Sequence, residues 1–85
     1  MPWTVARNSR AEKSLKTIPA SDRRRIVAAM EGMAVDPLRG DVVKLKGADA
    51  LRRRVGDYRI IFELDFQARA VRVLDIARRT TTTYR

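Results

Sequence analysis

The second half of the chain alternates apolar and polar residues, as a strand does when one of its faces is buried. After Tyr58, apolar side chains stand at every second position: Ile60, Phe62, Leu64 and Phe66. Gly56 and Asp57 precede this strand and predict a tight turn. A further apolar strand is predicted at 70–78, after a second turn at 67–69.

The strand predicted before the Gly56 turn carries three consecutive arginines. Alternation places Arg52 and Arg54 together on one face and Arg53 on the opposite, apolar face. Arg59 opens the next strand directly across the turn. Four arginines are therefore gathered at one end of a predicted β-hairpin, which is more charge than solubility requires.

The first half of the chain predicts one strand followed by two helices. Trp3 to Arg7 is short, β-branched and aromatic, which is typical of an opening strand. We expect Ser9 to cap a first helix that Pro19 ends, and Ser21 to cap a second helix. The predicted apolar helix positions are Ala11, Leu15 and Ile18, then Ile26, Val27, Met30, Met33 and Ala34.

These elements predict an α+β fold of order β-α-α-β-β-β. We expect a mainly antiparallel twisted sheet with a two-helix hairpin on one face, built as a single domain over 1–85. No apolar run approaches the roughly 18 residues that a membrane span needs, and the N-terminus turns polar by Arg7. We therefore expect a cytoplasmic protein with no membrane partner.

The net charge of the chain limits the kinds of molecule that it is expected to bind. Nineteen Lys and Arg against ten Asp and Glu give a net charge of +9 and a pI near 11.3. A domain this basic is expected to bind nucleic acid or an acidic protein, with a merely soluble basic protein as the alternative. The absence of His and Cys excludes a histidine base and a thiol nucleophile.

A series of motifs runs through the chain from Trp3 onward. After the strand and two helices come DP at 36–37, VVKLKG at 42–47, LRRRVGDYRIIFELD at 51–65 and VRVLDIARR at 71–79. In this order they resemble the RelE side of the RelE/ParE toxin superfamily of bacterial and archaeal toxin–antitoxin pairs. The resemblance implies a compact basic toxin whose open sheet face carries the site.

RelE-type members cut mRNA in the ribosomal A site, whereas ParE-type members share the fold but poison DNA gyrase. The resemblance implies a ribosome-dependent endoribonuclease that uses 2′-hydroxyl attack on the adjacent phosphate and needs neither metal nor other cofactor. A gyrase-directed toxin and a non-catalytic nucleic-acid-binding module remain alternatives. The implied partners are the ribosome, mRNA and a cognate antitoxin with an acidic and apolar C-terminal segment, through which the complex would bind operator DNA.

The resemblance also implies which residues form the site. The expected catalytic residues are Arg52, Arg54, Arg59, Arg79 and Tyr84. Arginine stays protonated and suits phosphate clamping, whereas nearby arginines favour the tyrosinate anion, so Tyr84 is the expected base. A surface ion pair with Asp57, Glu63 or Asp65 is the alternative role for Arg59.

A second set of basic residues is expected to bind RNA or the ribosome. It comprises Lys44, Lys46, Arg78, Arg23, Arg24 and Arg25. The three consecutive arginines of this set lie at a predicted helix start, where cations are slightly unfavourable. A binding role to ribosomal RNA or antitoxin carboxylates and a solvated helix face are both open for them.

Overall fold

The computed structural model describes residues 2–47 and 49–78, and within them two helices and five strands. The elements are β1 Thr4–Arg7, α1 Ser9–Lys16, α2 Ala20–Met33, β2 Val42–Lys44, β3 Leu51–Val55, β4 Tyr58–Asp65 and β5 Ala70–Arg78. The strands form one sheet in the order β1-β5-β4-β3-β2. Only the β1–β5 pair is parallel among these strands. The predicted α+β fold with a mainly antiparallel sheet is confirmed.

β2 is a short edge strand that the predicted element order lacks. It pairs with β3 in antiparallel register, with Val43 opposite Arg52. Three residues are too few for alternation to reveal a strand, so the sequence pattern could not indicate it. The strand widens the sheet on the side away from β1.

Both helices pack on one face of the sheet and share one hydrophobic core with it. The core residues are Ala11, Leu15, Ile18, Ile26, Met30, Met33, Tyr58, Ile60, Phe62, Val71, Val73 and Ile76. The opposite side of the sheet, which we call the open face, has no helix over it among the described residues. No described helix is long and apolar enough to cross a membrane.

Asn8, rather than the predicted Ser9, caps the first helix. The Asn8 Oδ1 accepts a hydrogen bond from the Ala11 backbone N–H at 2.9 Å, which satisfies one of the unpaired donors of the first turn. Ser9 is the first residue of α1. Asparagine and serine are comparable caps, so residue type alone could not distinguish the two positions.

The break between the helices also differs from the prediction. α1 ends at Lys16, because proline disfavours helical backbone in the residue before it and the chain must leave the helix ahead of Pro19. The Thr17 hydroxyl donates to the Ser14 carbonyl oxygen at 2.8 Å and closes the last turn. Pro19 then takes the cap position of α2, which has no side-chain cap, and Ser21 lies inside the first turn.

Phe66 was predicted to extend the core face of β4 and is instead 68% exposed. β4 ends at Asp65, whose Oδ1 accepts a hydrogen bond from the Ala68 N–H at 3.0 Å and begins the next turn. The Phe66 ring then lies edge-on to Trp3, with centroids 5.5 Å apart. The alternation of β4 therefore stops one residue before the sequence pattern does.

Candidate nucleic-acid interface

The β3–β4 hairpin brings three arginines together on the open face. Arg54 pairs with Arg59, and Arg52 pairs with Ile61. Directly paired residues of antiparallel strands share a face, and these positions alternate with the buried Ile60. The predicted separation of Arg52, Arg54 and Arg59 from the apolar face is therefore observed.

Gly56 makes this hairpin tight. Its φ of +57° lies in the left-handed region that favours glycine. A Cβ at this position would also stand 3.1 Å from the Arg25 Nη2. The turn thus depends on glycine, and it brings the start of β4 back beside the end of β3.

No residue that the structure describes neutralises the charge of Arg52 or Arg59. Both are half-buried, and the Nε of each is buried without a hydrogen-bond partner. Neither guanidinium forms an ion pair with any residue in the described ranges. The alternative role of Arg59, an ion pair with Asp57, Glu63 or Asp65, is therefore not observed among the described residues.

Arg54 is held more closely. Its backbone N–H donates to the Asp41 carbonyl oxygen at 3.0 Å, and its Nη1 lies 3.8 Å from the Asp41 Oδ2. Both side chains are about half exposed, so this ion pair contributes little to stability. Its effect is to fix where the Arg54 guanidinium lies beside β2.

The Arg53 side chain lies on the helix-covered side of the sheet, where it contacts the loop before β2. Its Nη1 donates to the Arg39 carbonyl oxygen at 3.3 Å. A Cβ at Gly40, whose φ is +96°, would stand 2.9 Å from the Arg53 Cζ. The Arg53 side chain therefore lies close against the loop before β2, where the positive φ of Gly40 favours glycine.

The open face changes charge along β4. Its open-face residues run in the order Arg59, Ile61, Glu63 and Asp65. Beside the last two, the Arg72 Nε lies 3.6 Å from the Glu63 Oε1 and the Arg72 Nη2 lies 3.1 Å from the Asp65 Oδ2. Within the described residues, the charges of Arg52 and Arg59 near the β3–β4 turn are thus unpaired, whereas the charge of Arg72 at the far end of β4 is neutralised.

The other predicted binding residues do not join this arrangement. Lys44 pairs with Leu51 and Arg78 pairs with the buried Tyr58, so register assigns both to the helix-covered side. Lys46 lies in an exposed turn after β2. These positions surround the open face rather than belong to it.

The helix arginines lie in the other layer. The Arg23 Nη1 donates to the Ile18 carbonyl oxygen at 3.3 Å, and Arg24 is exposed. Arg25 lies 3.8 Å from Asp22 and close to the β3–β4 turn. The predicted catalytic residues Arg79 and Tyr84 lie outside the described residues.

Sequence reasoning did not find Asp41, and it named Glu63 and Asp65 only as possible partners of Arg59. Asp41 holds Arg54, while Glu63 and Asp65 hold Arg72. The alternation of β4 could have shown that the last two share a face with Arg59. The partnership with Arg72 depends on the β4–β5 register, which sequence alternation does not define.

The described structure is a two-helix layer over a five-strand sheet whose open face carries arginines near the β3–β4 turn. Its similarity to known proteins shows which family has this fold. Residues 5–82 match the family model described as the ParE toxin of the type II toxin–antitoxin system ParDE. The chain therefore belongs to this toxin family of the RelE/ParE superfamily. No curated protein matches the chain significantly in sequence.

Solved toxins share the fold over nearly the whole chain. The archaeal RelE–RelB complex from Pyrococcus horikoshii OT3 matches at 26% identity and a TM-score of 0.85, covering 96% of this chain and 100% of that chain. The RelBE2 toxin–antitoxin complex from Mycobacterium tuberculosis matches at 25% identity and a TM-score of 0.81, covering 93% and 100%. The isolated Escherichia coli RelE toxin has 15% identity and a TM-score of 0.81, covering 95% and 88%, and shows the fold alone. The protein is a toxin of a type II toxin–antitoxin system with the RelE/ParE fold.

Proposed function

We propose that residues 1–85 form one toxin domain that acts in the cytoplasm as a ribosome-dependent endoribonuclease and cuts mRNA in the A site. The observation that carries the proposal is the pair of unneutralised arginines, Arg52 and Arg59, on the open face beside Arg54. Guanidinium groups fixed on a sheet can bind the scissile phosphate and stabilise the extra charge of its transition state. Among the described residues neither guanidinium has an ion-pair partner, so the charges of both are available to a phosphate.

The proposed reaction needs a base, a cationic surface and a proton donor. The 2′-hydroxyl gives its proton to the base as its oxygen bonds to the adjacent phosphorus, the bond from phosphorus to the 5′-oxygen breaks, and that oxygen takes a proton from water. We assign Tyr84 as the base for the 2′-hydroxyl, and Arg79 joins the open-face arginines in stabilising the phosphorane. The ribosome contributes by holding the mRNA in a geometry ready for attack.

The remaining basic residues suit contacts outside the reacting phosphate. We assign Lys44, Lys46, Arg78 and residues 23–25 to ribosomal RNA or to antitoxin carboxylates, because they are basic and lie away from the open-face arginines. Charge also supports a cognate antitoxin as the resting partner, since +9 favours an acidic and apolar segment. The Pyrococcus horikoshii and Mycobacterium tuberculosis relatives are both solved as complexes with antitoxins. Operator binding would then occur through the antitoxin.

A gyrase-directed toxin is the second candidate, because the matching family model is that of the ParE toxin. A YoeB/ParE toxin from Agrobacterium tumefaciens also shares the fold, at 14% identity and a TM-score of 0.76, covering 91% of this chain and 99% of that chain. In that case the open-face arginines would bind protein or DNA, and no cleavage chemistry would depend on them.

The decisive experiment is expression of the toxin without antitoxin, followed by mapping of mRNA ends and of DNA breaks. We expect translation to stop, with mRNA cut inside codons that are being read and with naked RNA barely cut by the purified protein. Arg59→Ala is the matched control, and it should permit growth. DNA breaks with intact mRNA would overturn the ribonuclease proposal in favour of the gyrase target.

A further inference from the structure

We propose that RNA occupies only the half of the open face next to the β3–β4 turn, because Glu63 and Asp65 keep phosphates away from the other half. The inference rests on the proposed function, since it describes how far the RNA extends on the same surface. It makes the two carboxylates determinants of specificity, with Arg72 as a phosphate-binding group that they keep occupied.

The charge order along β4 supports this division. Glu63 follows Arg59 by four residues on the same face, which places their Cα atoms about 13 Å apart in an extended strand. The Debye length is about 10 Å at 0.1 M salt, so each half of the face presents its own charge to a strand of RNA. Ile61 lies between them without a charge.

The far half has a negative balance even though it contains an arginine. Arg72 contacts both Glu63 and Asp65 and remains 46% exposed. One cation against two carboxylates leaves a net negative charge that repels phosphate, and the carboxylates already occupy the Nε and Nη2 edge of Arg72. Arg52 and Arg59 meet no such competition among the described residues.

Binding to free RNA is weak because only a short stretch of RNA contacts the open face. Single-stranded nucleic acid gains affinity from each phosphate that a cation neutralises, through the release of bound counterions. A face that contacts only a few phosphates cannot hold an arbitrary transcript at physiological salt. Cleavage would then require the ribosome to deliver the strand, which gives the toxin selectivity for mRNA in translation.

The test measures binding of a fluorescein-labelled 12-nucleotide oligouridine to the parent and to Glu63→Gln/Asp65→Asn at 50 to 300 mM salt. Releasing Arg72 should add one phosphate contact, which steepens the slope of log affinity against log salt by about 0.7. Counterion release alone then gives a gain of about eightfold at 50 mM and about threefold at 200 mM. Adding Arg72→Ala to the double variant should restore the parent slope.

The matched control is Glu12→Gln/Glu31→Gln, which raises the net charge by the same amount in the helix layer. One of its positions releases Arg7, just as the test variant releases Arg72. The control should keep the parent slope. An equal gain in the control would show an effect of net charge and would overturn the inference.

Two outcomes separate the inference from the proposed function. If Arg59→Ala weakens RNA binding but the double variant binds like the parent, the inference is overturned and the site survives. If no protein binds the oligonucleotide at 50 mM salt, the inference is overturned, whereas the proposed function is overturned only if Arg59→Ala cuts mRNA on programmed ribosomes at the parent rate. Melting temperatures check folding, and Glu63→Gln alone releases one of the two Arg72 contacts and carries the same test if the double variant unfolds.

Discussion

The two faces of the sheet are made from alternate residues of the same strands, yet they differ in what their residues do. On the covered face, Ile60 and Phe62 are fully buried against the helices. On the open face, the neighbouring Arg59 and Ile61 are only half-buried. One face holds the protein together, and the other can change its charges without loss of the core. In β4, the core residues thus occupy even positions and the open-face residues occupy odd positions.

Arg53 and Arg54 are neighbouring arginines that lie on opposite faces of the sheet. Arg53 is turned to the covered side and donates to the Arg39 carbonyl oxygen. Arg54 lies on the open face with only a weak ion pair to Asp41. The composition of an arginine run therefore says little about its role, whereas the strand position of each member decides it.

Ile60→Ala and Ile61→Ala give the sharpest comparison, because the same change is made on opposite faces. Ile60→Ala should lower the free energy of unfolding by about 2–5 kcal/mol, through lost burial and a cavity. Ile61→Ala should cost less than about 1.5 kcal/mol, because its side chain is already partly solvated. Urea unfolding followed by circular dichroism measures both. Equal losses would contradict the separation of the two faces.

Arg59→Ala should affect the reaction rather than the fold. We expect single-turnover cleavage on programmed ribosomes to slow on the order of 10²- to 10³-fold, because a charge that stabilises the transition state is lost. The melting temperature should change little, since Arg59 makes no ion pair with a described residue. Arg59→Lys keeps the charge without the fork geometry and should be intermediate. A large drop in melting temperature would assign Arg59 to the fold instead.

Tyr84→Phe tests whether Tyr84 is the base that takes the proton of the 2′-hydroxyl. The change removes one hydroxyl, and we expect cleavage to slow about 10²-fold, the lower end for a general base. Ribosome binding should stay intact, which a pelleting assay measures. Cleavage at the parent rate would remove Tyr84 from the mechanism while leaving the arginine surface unaffected.

Arg54→Ala and Arg53→Ala should give the smallest effects, of different kinds. Arg54→Ala should weaken binding of a short RNA about tenfold, the value of one charged hydrogen bond of roughly 1.5 kcal/mol. Arg53→Ala should leave RNA binding near the parent value and lower stability by about 1 kcal/mol, since its bond to Arg39 is lost. Fluorescence anisotropy and urea unfolding separate the two. If Arg53→Ala is the variant that loses RNA affinity, the assignment of faces is wrong.

Much of the fold was predictable because it depends on short-range pattern. The turn at Gly56 joins two strands over a two-residue break, so the alternation on either side placed Arg52, Arg54 and Arg59 on one face. The same pattern correctly assigned Ile60 and Phe62 to the core.

The features that were missed depend on neighbours from other parts of the chain. Lys44 and Arg78 are predicted to bind RNA or the ribosome, and only their strand partners, Leu51 and Tyr58, show that they lie on the covered side. The contacts of Glu63 and Asp65 with Arg72 likewise require the β4–β5 register. Local sequence propensity does not predict these pairings, because tertiary packing determines them.

The parallel pairing of β1 with β5 has a consequence for the synthesis of this toxin. β5 lies between β1 and β4, and it supplies Val71, Val73 and Ile76 to the core. Pairing of Thr4 with Ala70 joins distant parts of the chain, and such nonlocal contacts form late. The nascent chain cannot close its sheet until β5 has emerged from the ribosome. A ribosome that makes this toxin therefore faces an unassembled polypeptide until β5 has emerged, and the folded toxin exists only afterwards.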